Sequence, residues 1–594
     1  MNHFLTYPFD PKLLLKKRKS IKKELLEQKI TFIEKNIAIL GGSTTHDIKD
    51  MLELFLLGHG IKARFYESEY AQFWQDAMFE NQELDDFSPD IIFIHTTNRN
   101  IIQFPDINDG MQEVNDKLEN EYRRYVTMWD TLKSKYHCPI IQNNFEYPFY
   151  RLMGNREAYD IHGKVYYITS LNMKFSQYAQ ENDQFFINDI NYLSAYCGLE
   201  EWSDPFYWHM YKYAVNLQMI PYLAHSVANI IKSIYGKNKK AFALDLDNTL
   251  WGGVIGDDGV EHIEIGQETS MGQVFSEFQD YLKQHKKIGV ILNIISKNDE
   301  CNAIAGLNHP DSILKPEDFI SIKANWEPKS KNLEAMAEEL SLLPESFVFV
   351  DDNPAEREIV CQQVENATVP PMLKPEQYIK VLDRSGFFEV TNFSQDDMHR
   401  DEMYKKNAER KKVQASFADY HEYLLSLEMT SEIKPFDAIH MSRIAQLTNK
   451  SNQFNLTTRR YTQEEVEEIS SNPAMVPLYG NLKDKFGDNG VVSVVIGEQE
   501  NDTLHMRLWL MSCRVLKRDM EFAMMDEVVR HCKQRKIHRI LGYYYPTQKN
   551  SMVKDFYQIQ GFTKLSEDEA GNTVWELCID DNYVMKNTVI SVNQ

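Results

Sequence analysis

Two aspartates separated by one residue close an apolar run near the middle of the chain, Ala243-Leu244-Asp245-Leu246-Asp247-Asn248-Thr249-Leu250. In a loop that ends a parallel strand, such a pair can converge on one pocket. There the first carboxylate can attack phosphorus, and the second can protonate the leaving oxygen and later activate water. Two carboxylates facing a phosphate dianion would repel it, so a hard cation must stand between them. Magnesium, with oxygen ligands and retained waters, meets that demand. Thr249 completes the DxDxT spacing, and three further elements follow in order. Ile294-Ile295-Ser296 ends an apolar run with a hydroxyl able to hold a phosphate oxygen. Lys329, in Trp326-Glu327-Pro328-Lys329-Ser330, can balance the charge of nucleophile and phosphate, with Lys331 and Lys323 as alternatives. Val348-Phe349-Val350-Asp351-Asp352-Asn353 ends another apolar run in two acids, both candidate metal ligands beside Asp245 and Asp247, and Glu356 follows.

Such groups meet only if strands carry them to one edge. Apolar runs at Ala241–Leu244, Ile288–Ile295 and Phe347–Val350 read as parallel strands. The stretch between the first two places Val274, Phe275, Phe278, Tyr281 and Leu282 on one helical face. Each chemical group then lies at the carboxyl end of a strand, where open α/β sheets bind ligands. Neither the stretch from Thr249 to Ser296 nor that from Ser296 to Lys329 leaves room for a cap domain. An uncapped site needs a partner surface or a large substrate to exclude water.

A chain of 594 residues is too long for one core, and about three domains are expected. Before the central segment, strands are expected at Asn36–Leu40, Asp90–His95 and Pro139–Gln142, with helical pattern between them. After it, the charged stretch Met398–Lys412 reads as a helical connector. It leads to strands at Val491–Ile496, Leu504–Leu510 and His538–Tyr543 and a helix from Glu521 to Arg535. The expected fold class is therefore multidomain α/β, with domains at 1–235, 236–395 and 396–594. Near the start, Asp10 and Pro11 form a helix-start signal, and the Leu/Lys alternation from Lys12 to Leu26 reads as a basic amphipathic helix packed on the first domain.

The net charge of -23 argues against a general nucleic-acid or anionic-membrane binder, whose phosphate field would repel most of the surface. The seven cysteines are dispersed and show no zinc spacing, which suits reduced thiols. No apolar stretch approaches the roughly 20 residues that span a bilayer. A cytoplasmic protein without membrane or nucleic-acid partners is expected.

Together the four elements resemble the motifs of the haloacid-dehalogenase (HAD) superfamily of phosphatases. The resemblance implies Asp245 as nucleophile, Mg2+ as cofactor, and Asp352 rather than Asp351 in direct contact with the metal. Longer strings narrow the match: Asp245 to Gly259, Asn325-Trp326-Glu327-Pro328-Lys329-Ser330-Lys331-Asn332, Asp351-Asp352-Asn353-Pro354-Ala355-Glu356-Arg357-Glu358, Leu447 to Asn455 and Phe486-Gly487-Asp488-Asn489-Gly490. These resemble the FkbH-like branch (subfamily IIIC) and cover most of the chain beyond residue 240. The resemblance implies dephosphorylation of 1,3-bisphosphoglycerate and loading of a glyceryl group onto the phosphopantetheine arm of an acyl carrier protein.

The C-terminal part resembles the GNAT acyltransferase fold, whose turn from Leu510 to Glu521 would present backbone amides to a pyrophosphate. FkbH-like proteins carry glycines where this chain has Lys517 and Asp519, so coenzyme A would meet side chains there. Cys513, near a helix N-terminus and among basic neighbours, is a candidate acyl-carrying thiol with a lowered pKa. Tyr557, in Asn550 to Phe562, is a candidate acid for the leaving thiolate. At the other end, Ile39-Leu40-Gly41-Gly42-Ser43 resembles the first block of an SGNH-hydrolase-like fold. Asn98 would then stand in the oxyanion hole, and Asp204 and His209 would complete a triad. Their spacing, and Gly42 in place of the usual aspartate, favour a noncatalytic docking module. Two other functions stay open: a stand-alone phosphatase acting on a sugar phosphate or phosphorylated polymer, and a carrier-binding scaffold with a vestigial HAD site. The intact acidic and basic set argues against the scaffold.

Overall fold

The computed structural model describes residues 3–28, 30, 32–393, 398–414, 416–451, 453–547, 549–580 and 583–593. It is a multidomain α/β protein that divides into two compact units, Met1–Ile234 with Glu389–Asn392, and Tyr235–Phe388 with Phe393–Gln594. The domain boundary expected between residues 395 and 396 lies outside the described residues.

The first unit is built on five parallel strands, β1 (Ile33–Gly41), β2 (Ile61–Glu67), β3 (Ile91–His95), β4 (Ile140–Asn143) and β5 (Phe185–Asn188), in the order β2-β1-β3-β4-β5. That is the flavodoxin-like order, with its switch point between β1 and β3. The central strands are the apolar runs expected from sequence, and β3 is buried along its whole length. The helix Pro11–Leu26 begins as expected, with the Asp10 carboxylate accepting from the Lys12 and Leu13 amides at 2.8 and 3.1 Å. It buries Leu14, Ile21 and Leu25 and pairs Lys22 with Glu53 at 2.7 Å, so it is a packed element of this unit.

The second unit opens with a four-stranded parallel sheet, β6 (Ala241–Leu244), β7 (Ile291–Ser296), β8 (Ser321–Ala324) and β9 (Phe347–Val350), in the order β8-β7-β6-β9. The strand expected from Ile288 starts at Ile291, because Ile288 caps the helix Ser270–Lys287 and Gly289 turns with φ 84°. Alternate side chains of β6 go to opposite layers. Phe242 and Leu244 pack with Phe275 and Phe278 of that helix, whereas Ala241 and Ala243 pack with Leu333 and Met336 of the helix Lys329–Glu339. A strand covered on both faces reads as one continuous apolar run, as Ala241–Leu244 does.

The connector forms the helix Arg400–Gln414. Beyond it lie β10 (Thr430–Pro435), β11 (Phe454–Asn455), β12 (Met475–Asp484), β13 (Gly487–Glu500), β14 (Thr503–Met511), β15 (Arg539–Tyr544), β16 (Thr563–Glu567), β17 (Thr573–Cys578) and β18 (Ser591–Asn593). They make one sheet in the order β16-β17-β15-β14-β13-β12-β10-β18, with β11 on β14. Its pairs are antiparallel except β14–β15 and β10–β18. Along β14 the period is two: Trp509 and Met511 join the core under the helix Met520–Gln534, and Leu508 and Leu510 join the core under the helix Met441–Lys450. Among the described residues no helix is long and apolar enough to cross a membrane.

Candidate active site

The register of the four-stranded sheet decides which groups meet. Leu244 lies opposite Ile294 on one side and Val350 on the other, so Asp245, Ser296 and Asp351 emerge past the same edge. The Asp245 amide continues the ladder to the Val350 carbonyl at 2.9 Å. The chain then turns sharply, with Leu250 N bonded to Leu246 O at 2.7 Å and Asn248 in the left-handed region at φ 54°. Thr249 is fully buried, and its hydroxyl accepts from the Asp352 amide at 3.2 Å, which ties the first acidic loop to the last.

Lys329 stands between two of the acids. Its ammonium lies 2.9 Å from Asp245 Oδ2 and 2.6 Å from Asp351 Oδ2, and its side chain is only 4 % exposed. Burial opposes its charge, but the two carboxylates outweigh burial and raise its pKa. The alternatives fall away: Lys323 pairs with Glu339 at 2.9 Å, and Lys331 faces solvent. Burial, and next the negative charge of Asp245, raise the pKa values of Asp351 and Asp352. Asp245, Asp351 and Asp352 bring one ligand oxygen each to within 4.8 Å of one another. Three acids against one lysine leave an excess of negative charge in a largely buried pocket. All the offered atoms are oxygens, so the donor set fits a hard divalent cation such as Mg2+.

Asp247 stands outside that group, although the sequence placed it among the ligands. Its Oδ1 accepts from Trp251 Nε1 at 2.9 Å and the Ile255 amide at 3.1 Å, and its Oδ2 from Asn298 Nδ2 at 3.1 Å. Burial raises its pKa, which favours a carboxyl able to carry a proton. Ser296 ends β7 and is buried. Glu356 pairs with Lys297 at 2.6 Å. Arg357 donates to the Asp351 and Asp352 carbonyls, each at 2.7 Å, and Asn353 caps the helix Pro354–Gln363, so the acidic loop is held from both ends. Sequence reasoning missed Asn298, Trp251 and Arg357. Asn298 had no pattern to single it out, whereas Trp251 and Arg357 lay inside quoted strings without a role.

Between Thr249 and Ser296 the described elements are a short helix Ile255–Asp258, a turn of 3-10 helix at Val260–His262 and the sheet-packing helix Ser270–Lys287. Between Ser296 and Lys329 lie the helix Glu300–Leu307, another short turn and β8. As expected, neither stretch forms a cap. Trp326 is 71 % exposed, its indole N–H bonded to Asp299 at 2.9 Å.

The acyl-transfer candidates sit in the second sheet region. Cys513 opens a 3-10 turn after β14 and is partly buried beside Tyr404, while the helix expected to activate it begins only at Met520. Lys517 and Asp519 both adopt left-handed backbone, φ 63° and 60°, a conformation that glycine takes without strain. Asp519 and Glu521 flank the start of the helix, and burial raises both carboxyls, Glu521 to about 7. Tyr557 departs from its expected role. It is 1 % exposed, packs with Phe556, Phe562 and Trp575, and lies so close over Gly542 that a Cβ there would fall 2.2 Å from its ring. It is a core aromatic.

In the first unit Ser43 follows β1 at the switch point, and its hydroxyl meets His95 Nε2 at 3.1 Å rather than His209. Asn143 Nδ2 contacts His95 Nδ1 at 2.9 Å and the Thr96 carbonyl at 3.3 Å, while Asn143 Oδ1 accepts from Asn188 at 2.8 Å. That network fixes the amide with its donor towards the ring, so Nδ1 accepts and Nε2 carries the proton. His95 therefore donates to Ser43 and cannot take its proton. Burial lowers its pKa to about 4. Asp204 caps the helix Pro205–Tyr211, His209 is exposed on it, and Asn98 is anchored to Glu146 through its amide at 3.2 Å. The expected triad does not assemble around Ser43.

Residues 36–232 match the family model described as FkbH, N-terminal domain. The N-terminal part of protein BF1531 from Bacteroides fragilis, described as containing a phosphatase domain complexed with Mg, is 27% identical with a TM-score of 0.58. The match covers 63% of this chain and 99% of that one. The ribosomal-protein-S18-alanine N-acetyltransferase of Escherichia coli (8% identity, TM-score 0.21) and Ard1 of Thermoplasma volcanium (14%, 0.21) each match over 26% of this chain and 99% of their own, too distantly to bear on its chemistry. No curated protein matches the chain.

Proposed function

We propose that this chain is a magnesium-dependent HAD-type phosphatase that acts through an aspartyl-phosphate on Asp245. The observation that carries the reading is Lys329 held between Asp245 and Asp351, with Asp352 beside them, at the carboxyl edge of a parallel sheet. The BF1531 domain, similar over most of its length and crystallised with Mg, supports it.

Asp245, Asp351 and Asp352 would hold the cation, which supplies charge neutralisation between nucleophile and phosphate. An Asp245 oxygen attacks phosphorus as the bond to the leaving oxygen breaks. Asp247, steadied by Trp251, Ile255 and Asn298, delivers its proton to that oxygen. It then takes a proton from water, whose oxygen displaces Asp245 and frees phosphate. Lys329 holds the charge of Asp245 and of the transferring group throughout, and the Ser296 hydroxyl, at the end of β7, would hold a phosphate oxygen.

The finer reading is that the substrate is 1,3-bisphosphoglycerate and that a glyceryl group passes to an acyl carrier protein, with Cys513 as the acyl-carrying thiol. The uncapped edge, suited to a macromolecule-borne substrate, and the match to the FkbH N-terminal domain support it. The test is incubation with magnesium, 1,3-bisphosphoglycerate and candidate carriers while free phosphate and carrier mass are followed. A glyceryl adduct lost in Cys513→Ala supports the transfer. Phosphate release without carrier, abolished in Asp245→Asn, supports the phosphatase alone. Neither signal overturns both.

A further inference from the structure

Of the eight tryptophans, all within the described residues, Trp326 alone is exposed. A lone apolar side chain at the surface needs no explanation. This one, however, is fixed at the edge that carries the chemistry. Ala324 pairs with Ser296 in the last register of β8 on β7, and the Asn325 amide donates to the Ser296 carbonyl at 3.1 Å. Asn325 Oδ1 accepts from the Glu327 amide at 3.0 Å and from Asn332 Nδ2 at 2.8 Å, and Lys329 opens the next helix. Trp326 is therefore bracketed by the partner of Ser296 on one side and by Lys329 on the other. Its indole N–H donates to Asp299 Oδ1 at 2.9 Å. Asp299 stands at the N-cap of the helix Glu300–Leu307, where an aspartate ordinarily accepts from the helix's own amides. It makes no such bond, and its carboxylate is turned to the indole instead. The neighbouring Asn298 accepts from the Asp299 amide at 3.0 Å and donates to Asp247 at 3.1 Å. Two adjacent residues thus hold Asp247 and the ring of Trp326.

We propose that Trp326 is a specificity-determining residue that receives the leaving group of the phosphate ester, and that the preferred leaving group carries a ring face, as a sugar does. The inference rests on the phosphatase reading above. In that reading Asp247 protonates the leaving oxygen, so the leaving group lies against Asp247, beside the loop that also holds the indole. A planar indole takes the C–H face of a sugar ring or the π face of an aromatic ring. Fixing its N–H edge in advance lowers the ordering cost of that contact. A three-carbon chain covers little of the indole, so this substrate class competes with 1,3-bisphosphoglycerate. Asp299 acts through Trp326 and is a positioning residue.

The test measures kcat/KM of the full chain with magnesium for glycerol phosphate, glucose 6-phosphate and phenyl phosphate, esters that differ in the leaving group. In Trp326→Ala the preference for glucose 6-phosphate over glycerol phosphate is expected to fall about tenfold, through KM rather than kcat. Trp326→Phe, which keeps a ring, retains most of that preference. Asp299→Ala raises KM for glucose 6-phosphate, and Asp299→Asn, which keeps an acceptor, restores it. A matching loss for phenyl phosphate identifies any ring as the ligand, and its absence identifies a sugar. Iodide quenching of fluorescence reads the contact without turnover. The quenchable component that Trp326→Ala removes is expected to be shielded by glucose 6-phosphate in Asp245→Asn. Shielding without phosphate release from any ester overturns the phosphatase reading and supports the contact alone. Phosphate release with the same preference in Trp326→Ala, and no shielding, overturns the inference alone. Absence of release and of shielding together overturns both.

Discussion

At the scale of single residues, the centre depends on charge held out of water. Removing one partner of a buried ion pair costs roughly 3–5 kcal/mol because the other charge stays buried. Lys329→Gln should therefore lower the unfolding midpoint of the second unit in chelator and cut phosphate release by about two to three orders of magnitude. Magnesium should restore part of the stability, since it shields the same carboxylates. Unchanged melting in chelator would contradict the buried triad. In the first unit, Glu146 is enclosed and its pKa is raised to about 8 by burial, from an ordinary 4.5. The folded state prefers the protonated acid. Its contribution to stability is thus complete below about pH 4.5 and is lost as pH rises towards 8. Urea unfolding between those limits should show the decline, and Glu146→Gln should flatten it. His95 has the opposite sign, its contribution being complete above about pH 6.5 and lost as pH falls towards 4. Lys329 could be singled out from sequence because it lies in a string of recognisable spacing. The tautomer of His95 could not, because it depends on Asn143 and Asn188 from two other strands.

At the scale of elements, two of the missed strands share a character. β2 carries Lys62, Arg64 and Glu67 and lies at a sheet edge, and β8 is four residues long at another. Edge strands are short and charged because they must not pair with other chains, and those properties erase the apolar run by which β3 and β9 were readable. β12 was missed for another reason, since Pro477 and Gly480 interrupt it. Gly542 on β15 leaves room for the Tyr557 ring and nothing else. Gly542→Ala should destabilise the second unit by about 1–3 kcal/mol in chemical denaturation, and Gly542→Ala/Tyr557→Leu should recover much of the loss. The left-handed residue ahead of the helix Met520–Gln534 offers the reverse. Relief of about 1–2 kcal/mol of strain in Asp519→Gly is offset by roughly 0.5–1 kcal/mol from glycine's freedom in the unfolded chain, so a small gain in denaturation midpoint is expected.

At the scale of the whole molecule, two units with separate cores should unfold as separate events. The three acids that fit a cation all belong to the second unit. Because a ligand stabilises only what it binds, magnesium should move one calorimetric transition and leave the other in place. A single transition shifted as a whole would show that the units do not unfold independently. The pH effects of Glu146 and His95 should fall on the transition that magnesium leaves unmoved.

The bare rim around Asp245 sets what can limit turnover. Many enzymes of this size wait on a loop that swings shut and open again, and added viscogen slows them. Here no cap domain stands between Thr249 and Ser296 or between Ser296 and Lys329 to act as a door. Throughput should follow the difficulty of breaking the phosphate bond, with thickened solvent changing it little until encounter itself becomes slow.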